Sequence, residues 1–272
     1  MFIWYFRATR SLRAMTWIIL LAIIRLPRKH APGVDKAKLL NDITSKICNK
    51  EVTMYTSFGT FHGNFSMVAN VNPNYEKNIH QLMLENYHHN KDRKRIFINV
   101  GTHIGEYLID MAKNYGYEGY GFEPTPSTFE YLIKSIYLSK VEKKVRVYNV
   151  GLGSMDAMMF FYQSPISAYN TFCNDQKILN MEKIQVPVKR FDGMKLDLNA
   201  EDVKLILIDT EGFEYFVLTG MKALLEKMTD VDIIVEIHLN KEKVLNFMKG
   251  LKYMAEPIDS GNWLFRRNKD VA

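Results

Sequence analysis

Cysteine is scarce in this chain of 272 residues, which contains only Cys48 and Cys173. The two are far apart and lack the spacing of metal ligands, which argues against a disulfide framework and indicates a reducing compartment for the main domain. Long apolar runs are also missing. The apolar stretch Ala14–Ile24 has eleven residues, whereas about 20 are needed to cross a bilayer.

Acidic residues are absent from residues 1–34, and Asp35 is the first one in the chain. The net charge is +6, and the basic residues of this segment account for it, so the rest of the chain is close to neutral. A basic nucleic-acid-binding surface on the main domain is therefore not predicted. The basic residues are Arg7, Arg10, Arg13, Arg25, Arg28 and Lys29.

Four interpretations of residues 1–34 remain open. A basic flank beside an apolar stretch favours a helix in residues 1–30 that lies on an anionic membrane surface. An organelle-import presequence fits the lack of acids but is usually less apolar, and a secretory signal lacks a clear cleavage site here. The fourth interpretation is a helix packed on the domain or on a partner. We expect an intracellular protein that associates with membranes through this helix.

Regular alternation of strands and helices begins at Ile96, so we interpret residues 35–95 as a cap or preamble and residues 96–272 as the main domain. Strands separated by helices predict right-handed crossovers and a mostly parallel sheet. Two strand-like runs around the turn at Asp259 predict an antiparallel hairpin at the end of the chain. The expected fold class is α/β, with a doubly wound, mostly parallel sheet closed by that hairpin.

The predicted elements follow from short apolar runs and helical periodicity. The strands are Ile96–Val100, Gly119–Glu123, Val145–Val150, Ala157–Tyr162, Ile184–Lys189, Leu205–Asp209, Ile233–Ile237, Tyr253–Ile258 and Trp263–Arg267. The helices run from about Ile104 to Tyr115, from Pro126 to Ser139 and near Tyr215–Lys227.

In doubly wound sheets, ligands bind at the carboxyl ends of the strands. After the first strand of the main domain, Gly101 would allow a tight turn and Gly105 would let the backbone approach a ligand. Glu123 ends the second strand, about 20 residues after Gly101, which is the spacing at which an acid accepts both ribose hydroxyls of a nucleotide cofactor. Together these residues favour a nucleotide-type cofactor over ordinary turn chemistry.

Acidic residues also follow two later strands. Asp209, Glu211 and Glu214 lie within six residues at the end of one strand, and Glu236 and His238 end the next. Alternate residues of a strand lie on the same face, so the side chains of Glu236 and His238 can reach the same cleft. Such a concentration of carboxylates at strand ends predicts binding of a cation, a donor group or a substrate hydroxyl.

At this point the sequence resembles the FkbM family of S-adenosylmethionine-dependent methyltransferases, over residues from about 96 to 240. The resemblance depends on motifs in a fixed order: Phe97-Ile-Asn-Val-Gly-Thr-His-Ile-Gly105, Gly121-Phe-Glu-Pro-Thr-Pro126, Asn149-Val-Gly-Leu-Gly153, Val186-Pro-Val188 before Phe191-Asp192, Ile208-Asp-Thr-Glu-Gly-Phe-Glu214 and Glu236-Ile-His238. It implies a Rossmann-like class I methyltransferase fold, S-adenosylmethionine as cofactor and, usually, methylation of a hydroxyl oxygen.

The resemblance also implies roles for individual residues. The cofactor-binding set is Asn99, Gly101, His103, Gly105, Glu123, Pro124, Leu152 and Asp209. In this set the two glycines cradle the methionine part, Glu123 holds the ribose and the turn around Leu152 lies near the adenine. The family usually has an acid where Asn99 stands, but asparagine can still accept a hydrogen bond through its carbonyl. It also has a small residue followed by asparagine where Thr102 and His103 stand.

His238 is the preferred catalytic base, because an imidazole titrates near physiological pH. Asp209 and Glu236 are expected to orient it. A less favoured alternative is that these two acids hold a divalent cation that acidifies the hydroxyl. The expected acceptor is a hydroxyl on a small molecule, a sugar or a lipid.

Two other functions stay open from the sequence. A ribose 2′-O-methyltransferase acting on RNA would place acids at similar strand ends, but the near-neutral main domain argues against a nucleic-acid substrate. A membrane-tethered binding or scaffold protein could keep the fold without turnover. Binding of S-adenosylmethionine would separate this last function from both enzymes.

Overall fold

The computed structural model describes residues 53–56, 59–62, 77–163, 170–172 and 181–267, with side chains from residue 77 onwards. The predictions for residues 1–34 fall outside these residues. None of the described helices is long and apolar enough to cross a membrane.

A seven-stranded sheet forms the centre of the molecule. Its strands are β3 (Ile96–Val100), β4 (Glu118–Phe122), β5 (Val145–Tyr148), β9 (Val203–Ile208), β10 (Asp232–Glu236), β11 (Tyr253–Pro257) and β12 (Asn262–Arg267). Their spatial order is β11-β12-β10-β9-β3-β4-β5, and the neighbours from β10 to β5 are paired in parallel. The strand order reverses between β3 and β9, which is the switch point where doubly wound sheets bind ligands. The α/β fold class is therefore confirmed.

The inner strands are apolar on both sides because helices cover both faces. Every residue of β3 and of β9 is buried. On one face, Phe97 packs with helices α1 (Lys77–Asn90), α2 (Glu106–Asn114) and α3 (Pro126–Ser139). On the other face, Ile98 packs with α4 (Glu214–Gly220), α5 (Lys222–Lys227) and α6 (Lys241–Gly250). Because alternate side chains of a strand lie on opposite faces of the sheet, each inner strand contributes residues to both hydrophobic cores.

The C-terminal hairpin is confirmed: β11 and β12 are antiparallel, and β12 also pairs antiparallel with β10. Asp259 holds the turn, because its carboxylate accepts hydrogen bonds from the backbone amides of Gly261 and Asn262. The hairpin closes the end of the sheet beside the strand that carries Glu236.

Helix α1 lies within the segment that the sequence assigns to a preamble, yet it packs on the sheet of the main domain. The Asn86 side chain donates to the carbonyl oxygen of Lys204 at 2.9 Å and to Asp232 at 2.8 Å. Tyr117 donates its hydroxyl hydrogen to Asn86. Ile79 and Met83 are buried in the core. Helix α1 therefore contributes to the hydrophobic core on one face of the sheet.

The single helix predicted near Tyr215–Lys227 is wrong in detail: α4 and α5 are separated at Met221. At Gly220, a Cβ would lie 2.0 Å from the carbonyl oxygen of Gly153. This close approach of two backbones leaves no room for a side chain at position 220 and therefore requires glycine. Helix α6 was not predicted at all.

A smaller three-stranded sheet, ordered β6-β8-β7, lies between β5 and β9 in the chain. Its strands are β6 (Gly151–Leu152), β7 (Ala157–Gln163) and β8 (Glu182–Lys189), and β7 pairs antiparallel with β8. A further hairpin is formed by β1 (Thr53–Thr56) and β2 (Gly59–His62).

Candidate active site

The turn after β3 is built against the end of β9. The amides of Gly101 and Thr102 both donate to the carbonyl oxygen of Phe122, and the amide of Asp209 donates to Val100. Gly101 has a φ of 78°, and a Cβ there would lie 1.7 Å from the carbonyl oxygen of Asp209. Glycine is thus required at this position by the close approach of the protein's own backbone. It allows the turn after β3 to pack against Asp209 at the end of β9.

Glu123 closes this turn from the end of β4. One carboxylate oxygen accepts the backbone amide of His103 at 3.0 Å, and the other accepts that of Thr125 at 2.8 Å. The side chain is buried, and this burial raises the pKa of Glu123. A carboxylate has about four acceptor sites. Because the Thr125 side chain is a third hydrogen-bond partner, Glu123 holds the loop and keeps part of its acceptor capacity for a ligand.

Asn99 lies at the end of β3 with 2% of its surface exposed. Its side-chain oxygen is buried and accepts no hydrogen bond from the described residues. Buried polar atoms normally have a partner, and a ligand is one common explanation when the protein provides none. This orphaned acceptor is consistent with an ammonium or amide donor from a bound molecule.

His103 is half-buried in the same loop, with a left-handed φ of 51°. Burial lowers its pKa to about 4, so the imidazole is neutral near neutral pH. Its backbone amide binds Glu123. The structure thus gives His103 a position beside the predicted ribose acceptor, without a positive charge.

The turn after β5 contains Leu152, which the sequence places near the adenine of the cofactor. Leu152 lies in β6 with 2% exposure and belongs to the hydrophobic core. Asn149 instead reaches across this turn, and its amide donates to the carbonyl oxygens of Glu123 and Pro124 at 2.8 Å and 3.1 Å. An apolar side chain next to a buried helix is drawn into the core, and Asn149 is the residue of this motif that reaches the strand end of β4.

The acidic strand ends of β9 and β10 come together as predicted, with one addition. His238 Nε2 lies 3.5 Å from Glu236 Oε1 and 3.6 Å from Glu211 Oε2. One ligand atom each from Asp209, Glu211 and His238 lie within 4.8 Å of one another. We call these four residues the strand-end cluster. It contains all three predicted catalytic residues and adds Glu211.

Glu211 was noted in the sequence but given no role. Its backbone has a left-handed φ of 52°, and its carbonyl oxygen accepts the Thr171 hydroxyl at 2.6 Å. Burial raises the pKa of Glu211 to about 7, while His238 lowers this pKa and Glu236 and Glu214 each raise it by a smaller amount. The signal that could have found it is its position two residues after Asp209, on the same strand end.

Glu214, the third acid of the same motif, has a structural role. Its side chain is fully buried, and one oxygen accepts the amide of Gly212 at 2.7 Å and the hydroxyl of Thr210 at 3.2 Å. It lies in the first turn of α4, where a negative charge is favourable. Glu214 thus fixes the loop that presents Glu211.

Comparison with known proteins agrees with this architecture. Residues 99–256 match the model of the methyltransferase FkbM domain. The crystal structure of the METTL16 methyltransferase domain is similar, with a TM-score of 0.51, 13% identity and coverage of 85% of this chain and 79% of that chain. None of the curated proteins compared matches the chain significantly in sequence.

Two bacterial structures are more distant. An rRNA methylase from Streptococcus thermophilus has a TM-score of 0.42 at 11% identity, covering 68% of this chain and 92% of that chain. SMU.1697c from Streptococcus mutans, in complex with SAH, has a TM-score of 0.41 at 12% identity, covering 67% of this chain and 94% of that chain. At such identities a structural likeness is informative about the fold and not about the substrate.

Proposed function

Because the chain belongs to the FkbM methyltransferase family, we propose that it transfers a methyl group from S-adenosylmethionine to a hydroxyl oxygen of its acceptor. The observation that carries the oxygen acceptor is the position of His238 between Glu211 and Glu236, at distances of 3.6 Å and 3.5 Å. This group lies at the carboxyl ends of β9 and β10, the same edge of the sheet at which Glu123 ends β4. The proposed proton acceptor, His238, and the proposed cofactor-binding acid, Glu123, would therefore lie at the same edge of the sheet.

The residues around the first turn fit S-adenosylmethionine. Glu123 would accept the ribose hydroxyls, and the orphaned oxygen of Asn99 would accept a donor from the methionine end. The loop that contains Gly101, His103 and Gly105 would lie along the cofactor. The cofactor supplies a methyl group bound to a positively charged sulfur, and the protein contributes alignment. Orientation of reacting groups can be worth about 7–11 kcal/mol.

Proton removal is the second task, because an aliphatic hydroxyl is a poor nucleophile. His238 in its neutral form would take the proton from the acceptor. The side chain is about one third exposed, so an acceptor can reach it from solvent. Glu211 and Glu236 would stabilise the imidazolium that forms, since opposite charges at this distance favour the charged state. General-base catalysis of this kind contributes about 10²–10⁴-fold to a rate.

The acceptor class we propose is a hydroxyl on a small molecule, a sugar or a lipid. Outside residues 1–34 the chain is close to neutral. Nucleic-acid binding depends largely on positive charge that neutralises phosphates. RNA is therefore the less favoured acceptor.

The experiment has two stages. Calorimetry with S-adenosylmethionine tests cofactor binding, and incubation of cell extracts with isotopically labelled S-adenosylmethionine tests transfer by the mass of one methyl group. We expect binding by native protein and by His238→Ala, and transfer only by the native protein. Glu226→Gln, at an exposed pair with Lys222, is the matched control and should transfer normally.

Each other result would contradict part of the proposal. A folded protein that does not bind S-adenosylmethionine would overturn it. Binding without transfer to any metabolite or RNA would favour a scaffold function. A label found in RNA alone would identify the ribose alternative, and a label on nitrogen or carbon would contradict a hydroxyl acceptor.

A further inference from the structure

We propose that Thr171 is a positioning residue, whose hydroxyl holds the backbone of Glu211 so that the Glu211 carboxylate stays beside His238. Thr171 lies outside the strand-end cluster, in residues 170–172, which follow β7 in the chain. Its hydroxyl donates to the carbonyl oxygen of Glu211 at 2.6 Å, and only 4% of the residue is exposed. The role rests on the proposed function, because Thr171 would act through the stabilisation of His238 by Glu211.

The peptide group between Glu211 and Gly212 is held from both sides. Its carbonyl oxygen accepts the Thr171 hydroxyl, and its N–H donates to the Glu214 carboxylate at 2.7 Å. The φ of Glu211 is left-handed at 52°, and that of Gly212 is 105°. A residue with a Cβ stays in this sparsely populated conformation where its surroundings hold it. The hydrogen bonds of Thr171 and Glu214 provide this support for the turn at Glu211.

The backbone of Glu211 determines where its carboxylate lies. Glu211 Oε2 is 3.6 Å from His238 Nε2, and a change in the backbone angles of Glu211 would redirect its Cα–Cβ bond. The attraction between a carboxylate and an imidazolium depends on the distance between them. Loss of the Thr171 hydroxyl would therefore release one side of the peptide group and weaken the stabilisation of protonated His238.

Thr171 is itself held firmly by the small sheet and by aromatic packing. Its backbone amide donates to the carbonyl oxygen of Tyr162 at 3.0 Å, and its carbonyl oxygen accepts the amide of Tyr162 at 2.8 Å. The ring of the next residue, Phe172, lies 4.7 Å from the ring of Phe161 in β7 and 4.5 Å from the ring of Phe213, measured between centroids. A hydroxyl on a fixed backbone can position its acceptor, so Thr171 connects the small sheet to the strand-end cluster.

The test compares Thr171→Val with Thr171→Ser in the full-length protein, with an acceptor identified from labelled extracts. Valine has the shape of threonine without the donor, whereas serine keeps the hydroxyl. We expect Thr171→Val to lower kcat by about 10- to 100-fold with KM for S-adenosylmethionine unchanged, because small displacements of reacting groups have large effects on rate. Thr171→Ser should restore most of this loss. Thr219→Val is the matched control and should keep the native kcat, because the Thr219 hydroxyl also donates to a backbone carbonyl, that of Phe216 at 2.9 Å.

A double variant shows whether Thr171 acts through Glu211. Once Glu211→Gln has removed the carboxylate, Thr171→Val should lower kcat only slightly further, because the effects of coupled residues are not additive. Losses that multiply independently would contradict a positioning role through Glu211. Thermal unfolding is measured for every variant, and Thr171→Ala is the second variant without a hydroxyl if Thr171→Val does not fold.

A native kcat in folded Thr171→Val would overturn the proposed role of Thr171 and leave the proposed function standing. A rate as low in Thr171→Ser as in Thr171→Val would also overturn this role, since serine keeps the donor. Absence of methyl transfer to any hydroxyl by the native protein would instead contradict the proposed function, and the role of Thr171 with it.

Discussion

The two edges of the central sheet carry similar numbers of acids with different partners. At the edge where the parallel strands begin, Asp232 accepts hydrogen bonds from Arg266 at 2.6 Å and from Asn86 at 2.8 Å. Asp230 pairs with Arg93 and Lys204. At the edge where the strands end, Glu211 and Glu236 lie 3.6 Å and 3.5 Å from His238 Nε2, so two acids surround one imidazole. Acids paired with arginine stabilise a fold, whereas acids held near one another tend to bind a ligand or a proton.

The largest expected effect comes from removing the histidine of the strand-end cluster. We expect His238→Ala to lower the turnover number by about 10²–10⁴-fold, because a base would be lost. Stability and S-adenosylmethionine affinity should stay near their native values, since the side chain is about one third exposed. Steady-state kinetics with an identified acceptor, calorimetry and thermal unfolding provide the three readouts. A loss of stability equal to the loss of activity would contradict the difference between the edges.

At the edge where the parallel strands begin, we expect a substitution to lower stability and to leave cofactor binding unchanged. Asp232→Ala removes two charge-assisted hydrogen bonds from Arg266 and one from Asn86, and we expect a loss of about 2–3 kcal/mol in the free energy of unfolding. Urea unfolding measures this, and Glu226→Ala should cost only about 0.5 kcal/mol. Cofactor affinity should be unchanged. A variant as stable as the native protein would show that Arg266 and Asn86 find other partners.

Glu123 is expected to have both a structural and a ligand-binding role, because it accepts hydrogen bonds from its own loop and is proposed to bind the ribose. Glu123→Ala should weaken S-adenosylmethionine binding by about 1–3 kcal/mol. Glu123→Gln should be little better, since the amide would place a donor against the amide of His103 or Thr125. Calorimetry on folded protein measures both variants. Native affinity in either variant would remove Glu123 from the cofactor site.

The smallest effect concerns His103, the second histidine at the carboxyl edge. Burial lowers its pKa to about 4, below the usual value of 6.5. The unfolded chain therefore binds a proton more readily, and stability should decline as the pH falls from about 6.5 to about 4. His103→Asn should remove part of this decline, worth about 1–2 kcal/mol at pH 4, because asparagine tolerates a left-handed φ and does not titrate. Unfolding in urea between pH 4 and 7 checks the difference, and identical pH profiles would contradict it.

Much of the site could be predicted because it lies at the ends of strands. The motif around Gly101, the acid Glu123 and the pair Glu236 and His238 were all identified from their positions after apolar runs. Parallel strands bring their carboxyl ends to one edge, so residues distant in sequence must meet there. The seven-stranded sheet and its closing hairpin follow from the same alternation.

Other features depended on neighbours that no local pattern specifies. The glycine at position 220 is required by its approach to the backbone of Gly153, which lies 67 residues earlier in the chain. The position of α1 on the sheet depends on Asn86, whose partners lie more than one hundred residues away in the chain. Leu152, which the sequence places near the adenine, is part of the hydrophobic core, and its depth of burial was not evident from the local pattern.

By itself, the sequence determined most of the strand order along the chain and predicted the strand ends at which the site forms, because periodicity and strand ends are local properties. Only the tertiary structure decided which acids lie close to one another around His238 and which are paired with arginine. Glu211 lies near His238 because β9 and β10 are neighbours in the sheet, and Glu214 accepts a hydrogen bond from the backbone amide of Gly212 within the loop. Distance and burial control the electrostatic energy of a carboxylate, and both depend on how the chain packs.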